Sequence, residues 1–204
     1  MGSKMTGLFR KLTWQDFKGP QPSSNPTNMW AEARPEFSVA GASTQSSGKG
    51  SSTSWQLADT ITVAITFDSS KSWVLPSVKG MDQAAKDALL IHEQGHYDLV
   101  ALLARDMFIE LMQLKVARLS SSSVVAQEVQ AIHSRYGNIA QPLQDLYDSK
   151  TQTDHGRDKA KQTSWNGYIN TAFTQHRVPA MSAPDGTAYK VELLSVLRQN
   201  GIPI

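Results

Sequence analysis

The segment His92-Glu93-Gln94-Gly95-His96 holds the residues whose types and spacing are best suited to chemistry. Residues four apart lie on the same face of an α-helix, so the imidazoles of His92 and His96 can reach one metal ion. Glu93 lies one position along and can contact a metal-bound water without being a ligand itself. The motif therefore predicts metal-assisted hydrolysis with Glu93 as the general base.

A third protein ligand must complete this site, because hydrolytic zinc generally keeps three and leaves the fourth position to water. The chain contains no cysteine, so the ligand is a histidine or a carboxylate. His155 is the preferred candidate, because it lies in a polar stretch just before a predicted helix. Its neighbour Asp154 is the alternative. His133 and His176 are also available, but they have no comparable polar surroundings.

Hydrolysis of a peptide bond also needs a hydrogen-bond donor for the oxyanion that forms at the carbonyl. Tyr147 is the first candidate for this donor, and Tyr168 and His133 are alternatives. The competing interpretation is that Tyr147 is a core residue whose hydroxyl is already hydrogen-bonded.

Carboxylates commonly orient zinc-bound histidines by accepting the second ring N–H. The candidates for this role are Asp98, Asp148 and Asp154. On an ideal helix Asp98 points about 160° away from His96. We therefore expect Asp98 to tie the helix to a neighbouring element instead.

The N-terminal part of the chain, residues 1–80, has the pattern of strands and loops. Strands are predicted over 37–40, 61–67 and 72–75. The segment 61–67 is the clearest of these, because apolar residues alternate there with small or polar ones. Residues 41–54 are rich in Ser, Gly and Thr and are predicted to form a mobile hairpin tip.

From Met81 onwards the pattern changes to that of helices. Helices are predicted over 82–118, 124–147, 156–174 and 189–199. Asp82 is a suitable N-cap for the first helix, which carries both motif histidines on an apolar stripe as one helix or as two with a bend. Gly137 and Pro142 are expected to interrupt the second helix.

Strands followed by helices predict an α+β fold, with one domain over 1–177 and a C-terminal extension over 178–204. The net charge is only +2 and the basic residues are scattered, which gives no indication of nucleic-acid binding. No run of 18 apolar residues is present, so no membrane span is expected. The N-terminus lacks the apolar segment of a signal peptide.

Several segments together resemble the bacterial domain-of-unknown-function family 922, whose members are described as predicted secreted zinc-dependent proteases. The similar segments are 12–19, 71–74, 89–98, Tyr147-Asp148, Thr153-Asp154-His155-Gly156, Gln162 and Trp165. The interval from Tyr147 to His155 is slightly longer than in the family pattern, so either Thr151 or Thr153 corresponds to the family's threonine. The resemblance covers residues 10–175.

The resemblance implies a small zincin-like fold, in which a twisted and mostly antiparallel N-terminal sheet packs on the HExxH helix and further helices lie behind it. It also implies a protein or peptide substrate and a secreted or periplasmic location. With the residues above, it predicts a metallopeptidase whose zinc ion (Zn²⁺) is bound by His92, His96 and His155, with Glu93 and Tyr147 as catalytic residues.

Two alternatives to a general peptidase remain at this point. The first is a binding module that keeps the fold and the metal but hydrolyses nothing. The second is a delivered effector or toxin protease, in which the segment after Val178 serves for targeting or covers the cleft. The sequence predicts neither the substrate nor the oligomeric state.

Overall fold

The computed structural model describes residues 2–24, 29–175 and 190–204, and within them the fold is α+β. The strands are β1 (Lys4–Thr6), β2 (Ala31–Glu32), β3 (Pro35–Ala40), β4 (Thr44–Ser47), β5 (Ser54–Leu57), β6 (Thr62–Phe67) and β7 (Trp73–Val74). The helices are α1 (Gln83–Gln113), α2 (Ser122–Asp148), α3 (Lys159–Thr174) and α4 (Leu193–Gln199). The predicted class and the order of strands before helices are confirmed.

The strands form three small sheets, where the sequence predicted one. The largest has the order β1-β6-β3, with β6 parallel to β1 and antiparallel to β3. The pairs β2-β7 and β4-β5 are each antiparallel. Most pairings are therefore antiparallel, as expected. The prediction of a single sheet is wrong, because among the described residues the two-residue strands β2 and β7 pair only with each other.

Strand β6 supplies the core face of the largest sheet. Its alternating side chains Val63, Ile65 and Phe67 are buried, as is Ile61 just before it. This is the alternation that predicted the strand. The sheet packs on α1 through β3 and β6, which places the HExxH helix against it.

Helix α1 is the central element of the core. It begins where the sequence predicted, because the side chain of Asp82 accepts a hydrogen bond from the Ala85 N–H at 2.7 Å. It then continues for 31 residues without a break. Residues 99–104 are all buried, so this part of the helix is surrounded by protein on every side.

Helix α2 is continuous, so the predicted interruption at Gly137 and Pro142 is wrong. Both residues are exposed on the surface of the helix. The carbonyl that Pro142 leaves without an amide donor therefore faces the solvent, where water can satisfy it.

The segment 41–54 belongs to a hairpin, as the sequence predicted, and part of it is paired as strand β4. It contains β4 and leads directly into β5, and the register pairs Thr44 with Leu57 and Ser47 with Ser54. This hairpin lies against α2. Packing against the helix thus gives a Ser- and Gly-rich stretch a defined conformation.

The C-terminal helix α4 belongs to the same core as the rest of the chain. Leu193, Val196 and Leu197 are buried there, and α4 packs on α1 and α3. The carboxylate of Asp106 on α1 accepts a hydrogen bond from the Leu193 N–H at 2.8 Å. The predicted boundary at residue 178 lies outside the described residues. In the described part, no helix has the length and apolar composition needed to cross a membrane.

Candidate metal centre

Three potential metal ligands from α1 and α2 converge at one point. The Nε2 atoms of His92 and His96 each lie 3.0 Å from Oδ1 of Asp148, the last residue of α2. The ligand atoms of these residues all lie within 4.8 Å of one another. Both histidines are buried, whereas Asp148 is partly exposed. The group is therefore a two-nitrogen, one-oxygen donor set that can hold a metal ion.

Helical spacing and one glycine explain how the two helices meet here. His92 and His96 are four residues apart on α1, and Gln144 and Asp148 are four apart on α2, so each pair lies on one face. A Cβ atom on Gly95 would overlap the hydroxyl of Tyr147. The absence of a side chain at Gly95 therefore lets α2 approach α1 closely at the motif.

Two glutamines hold the other ring nitrogen of each histidine. Oε1 of Gln162 lies 3.0 Å from Nδ1 of His92, and Oε1 of Gln144 contacts Nδ1 of His96. An amide oxygen only accepts hydrogen bonds, so each Nδ1 carries a proton and each Nε2 is directed to Asp148. Gln162 belongs to the segments that resemble family 922. Gln144 was not among the residues predicted from the sequence, although it lies four positions before Asp148 and therefore on the same face of α2.

The spacing of the donor atoms is one that a single metal ion can bridge. The lone pairs of two imidazole nitrogens and one carboxylate oxygen repel one another unless a proton or a cation lies between them. Ligands of a tetrahedral zinc ion are about 3.4 Å apart, since each lies about 2.1 Å from the metal. The 3.0 Å separations between Asp148 and the two histidines are close to this value.

The electrostatics of the group draw positive charge, either a proton or a metal ion, to Asp148. Burial lowers the pKa of His96, but the charge of Asp148 and its hydrogen bond outweigh this effect and raise that pKa to about 9. Burial also raises the pKa of Asp148, yet the charges and hydrogen bonds of His96 and His92 hold it well below its ordinary range. Asp148 is thus an anionic carboxylate that attracts positive charge to this point.

Glu93 has the surroundings of a general base. It is only 2% exposed, and among the described residues its Oε2 atom has no hydrogen-bond partner. The backbone N–H of Ala33 hydrogen-bonds to its carboxylate. Burial raises the pKa of Glu93, against the opposing charges of His92 and His96. One carboxylate oxygen is therefore held by the chain while the other remains available.

The predicted third ligand, His155, lies beside Asp148 and outside the three-residue group. Its Nδ1 atom is 3.4 Å from Oδ2 of Asp148. The alternative ligand Asp154 is directed to Arg157, with 3.6 Å between Oδ1 and Nη1. The described geometry places Asp148 in the third position, where the sequence had given it an orienting role. Ligation by His155 stays a prediction.

A left-handed turn presses the loop that carries His155 against α1. Asp154 and His155 have φ angles of 48° and 52°, a region that non-glycine residues rarely adopt, and Gly156 follows at 77°. A Cβ on Gly156 would lie 2.9 Å from Cβ and Cγ of His92. Thr153 is buried, and its hydroxyl donates to the Tyr147 carbonyl.

The hydroxyl of Tyr147 lies behind the histidines and does not line the cleft. It donates to the His92 carbonyl at 3.3 Å and accepts from Nε2 of Gln162 at 2.6 Å. Its ring stacks on that of His92, with 4.8 Å between the centroids. The geometry therefore corresponds to a buried tyrosine with a satisfied hydroxyl. It gives no support to the predicted role of Tyr147 as oxyanion donor, because the helical turn directs this side chain toward α1.

The remaining candidates from the sequence lie elsewhere. The ring of His133 packs edge-on against Phe37, and Tyr168 packs against Trp165; neither His133 nor Tyr168 lines the cleft. His176 lies outside the described residues.

Asp98 accepts a hydrogen bond from Gln94, which also bonds the backbone of Arg10 and Leu12. Gln94 therefore ties α1 to the segment at residues 10–12, and Asp98 supports this contact by accepting from the Gln94 amide, so the tie predicted for Asp98 is made by Gln94.

The metal-binding group lies at the bottom of a cleft of about 500 Å³. One wall is the segment 29–36, which includes β2, and the other is the end of α2 with Ser149, Lys150 and His155. Trp30 at the rim lies under the guanidinium of Arg157, 5.1 Å from the ring centre. Charged residues of both signs line the cleft: Glu32, Arg34, Glu36, Asp145 and Lys150.

Comparisons with known proteins return no match for this chain, whether with protein-family models, with curated proteins or with solved structures. The interpretation of the site therefore rests on its residues and geometry. The resemblance to family 922 remains a prediction from the sequence.

Proposed function

We propose that this protein is a zinc-dependent metallopeptidase. The observation that carries the proposal is the convergence of His92, His96 and Asp148 in a cleft that Glu93 also lines. The buried Oε2 of Glu93 has no hydrogen-bond partner among the described residues. Two imidazoles and a carboxylate leave further positions on a zinc ion for water and substrate, as in hydrolytic sites. The resemblance to family 922 supports a zincin-like fold and a secreted or periplasmic location.

The chemistry divides between the metal and Glu93. A bound zinc ion supplies a Lewis acid for the scissile carbonyl and lowers the pKa of its water to about 7. Glu93 then accepts the proton of the attacking water at its free carboxylate oxygen and returns it to the leaving amine. Ala33 holds the other side of this carboxylate, so the base stays in place during the transfer.

A peptide is the substrate that we propose for the cleft. Its volume of about 500 Å³ is within the range of small-molecule and peptide sites. Its walls expose charged side chains of both signs. None of the residues 190–204 lines the cleft, so the described part of the C-terminal segment does not cover it.

The substitution Glu93→Gln tests this function. The variant should keep about one zinc per chain, measured by elemental analysis after dialysis, and lose cleavage of casein by about 100-fold or more. Wild-type protein that binds zinc but cleaves neither casein nor a broad peptide library would contradict the peptidase and favour a binding module. Cleavage that survives both Glu93→Gln and zinc removal would point to a contaminating protease.

A further inference from the structure

Each histidine of the candidate site belongs to a closed ring of hydrogen bonds that starts and ends on the same residue. For His96 the ring contains Gln144 alone. The amide Nε2 of Gln144 donates to the main-chain carbonyl of His96 at 3.0 Å, and its Oε1 contacts Nδ1 of the same histidine. A carbonyl oxygen is always an acceptor, so the amide nitrogen must face it. The amide oxygen must then face the imidazole.

For His92 the ring contains two side chains. The hydroxyl of Tyr147 donates to the His92 carbonyl, and the hydroxyl oxygen accepts from Nε2 of Gln162. Oε1 of Gln162 then lies 3.0 Å from Nδ1 of His92. Nε2 of Gln162 has a second acceptor in Oδ1 of Asn166, at 2.8 Å, which favours the same orientation of the amide.

We infer that Gln144 and Gln162 are positioning residues that fix the Nδ1–H form of His96 and His92, and that each histidine's own main-chain carbonyl dictates the orientation of its glutamine. Tyr147 connects the His92 carbonyl to Gln162. Its hydroxyl hydrogen is donated to the carbonyl, so its oxygen can only accept, and the amide nitrogen of Gln162 must face it. Both Nε2 atoms are thereby directed to Asp148 and available to a metal. This inference rests on the proposed function for the metal, although the rings exist without it.

The groups that hold the two histidines are neutral amides, which affects the charge around a bound metal. Carboxylates often hold zinc-bound histidines and add negative charge, whereas glutamines orient the ring without adding any. Gln162 is almost completely buried, at 7% exposure, so its amide has little access to water as an alternative partner. Loss of either acceptor should therefore cost metal affinity through the orientation of the imidazole.

The test compares zinc affinity, measured by chelator competition, among single variants. Gln144→Met and Gln162→Met should bind zinc about 10- to 100-fold more weakly than wild type. Gln130→Met is the matched control, because Gln130 is an exposed glutamine of α2 that bonds only Ser134 among the contacts described. Gln162→Glu retains an acceptor for Nδ1 and should restore the affinity to within tenfold of wild type.

Long-range ¹H–¹⁵N spectra of the histidine rings provide a readout that a purely structural role would not move. Wild type should show protonated Nδ1 atoms on His92 and His96, slow to exchange with water. Each methionine variant should lose this protection on one ring only: His96 for Gln144→Met and His92 for Gln162→Met. Thermal unfolding of the metal-free proteins checks that all variants fold.

The inference is overturned if both methionine variants bind zinc as tightly as wild type, or if zinc binds through Nδ1. Wild-type protein that binds no zinc would refute the proposed function instead. In that case ring spectra of the metal-free protein recorded above the pKa of His96, about 9, still decide the inference, because a neutral ring carries a single proton and the spectra show whether it is on Nδ1.

Discussion

The carboxylate of Asp148 lies 3.0 Å from Nε2 of His96, although the two residues are 52 positions apart in the sequence. The same oxygen is 3.0 Å from Nε2 of His92. Asp148 therefore holds the position that a third metal ligand requires, whereas His155 contacts the other oxygen of the same carboxylate. This relationship makes the ligand set directly testable.

Asp148→Ala should lose most of its bound zinc, and His155→Ala should keep it. The reason is that Asp148 belongs to the convergent group, whereas His155 lies outside it, with its Nδ1 3.4 Å from Oδ2 of Asp148. Elemental analysis after dialysis against a weak chelator measures both, with His133→Ala as a control remote from the cleft. The opposite result, zinc lost with His155→Ala and kept with Asp148→Ala, would restore the ligand set predicted from the sequence.

Gly95→Ala should lower the free energy of unfolding by about 1–3 kcal/mol. The added Cβ would overlap the Tyr147 hydroxyl, which outweighs the gain in helix propensity of about 1 kcal/mol. Gly137→Ala is the matched control, because it lies in α2 with nothing within 4 Å of its added Cβ and should be neutral or stabilising. Urea unfolding measures both. A Gly95→Ala protein as stable as wild type would show that the helices separate easily at this point.

Zinc should stabilise the folded protein, because its proposed ligands come together only in the native state. At a free zinc concentration of 1,000 times Kd the gain is about 4 kcal/mol. Thermal unfolding with zinc and with excess chelator measures the difference. His96→Ala should abolish most of it, whereas His133→Ala should leave it intact. If zinc stabilises the His96→Ala and His133→Ala proteins equally, zinc binds elsewhere.

The stability contributed by Asp106 should decrease as the pH rises from about 4 to about 6. Burial raises the pKa of Asp106 from 3.8 to about 6, despite the opposing charge and hydrogen bonds of Arg105. The folded state therefore holds this proton more tightly than the unfolded state, which favours folding at low pH. The full change is about 3 kcal/mol. Asp106→Asn removes the titration, so the stability difference between it and wild type should change over this pH range. A constant difference would contradict the raised pKa.

The strands and helices were largely predictable because their signals are local. Apolar residues alternate along the segment that ends at Phe67, which indicates a strand with one buried face. Asp82 is a residue type that caps helices, which indicates where α1 begins. Pro142 misled the prediction because its effect depends on whether the affected carbonyl can reach water, which the sequence does not show. Strands as short as β2 and β7 have too few residues for a periodic signal.

The sequence by itself determined that two histidines and a glutamate share a helix, because four-residue spacing fixes which side chains share a face. Only the tertiary structure decided which side chains complete the site. The packing of α2 on α1 brings Asp148 and Gln144 to His96 and turns Tyr147 away from the cleft. Such contacts depend on how two helices are placed in space, and no spacing along the chain encodes that placement.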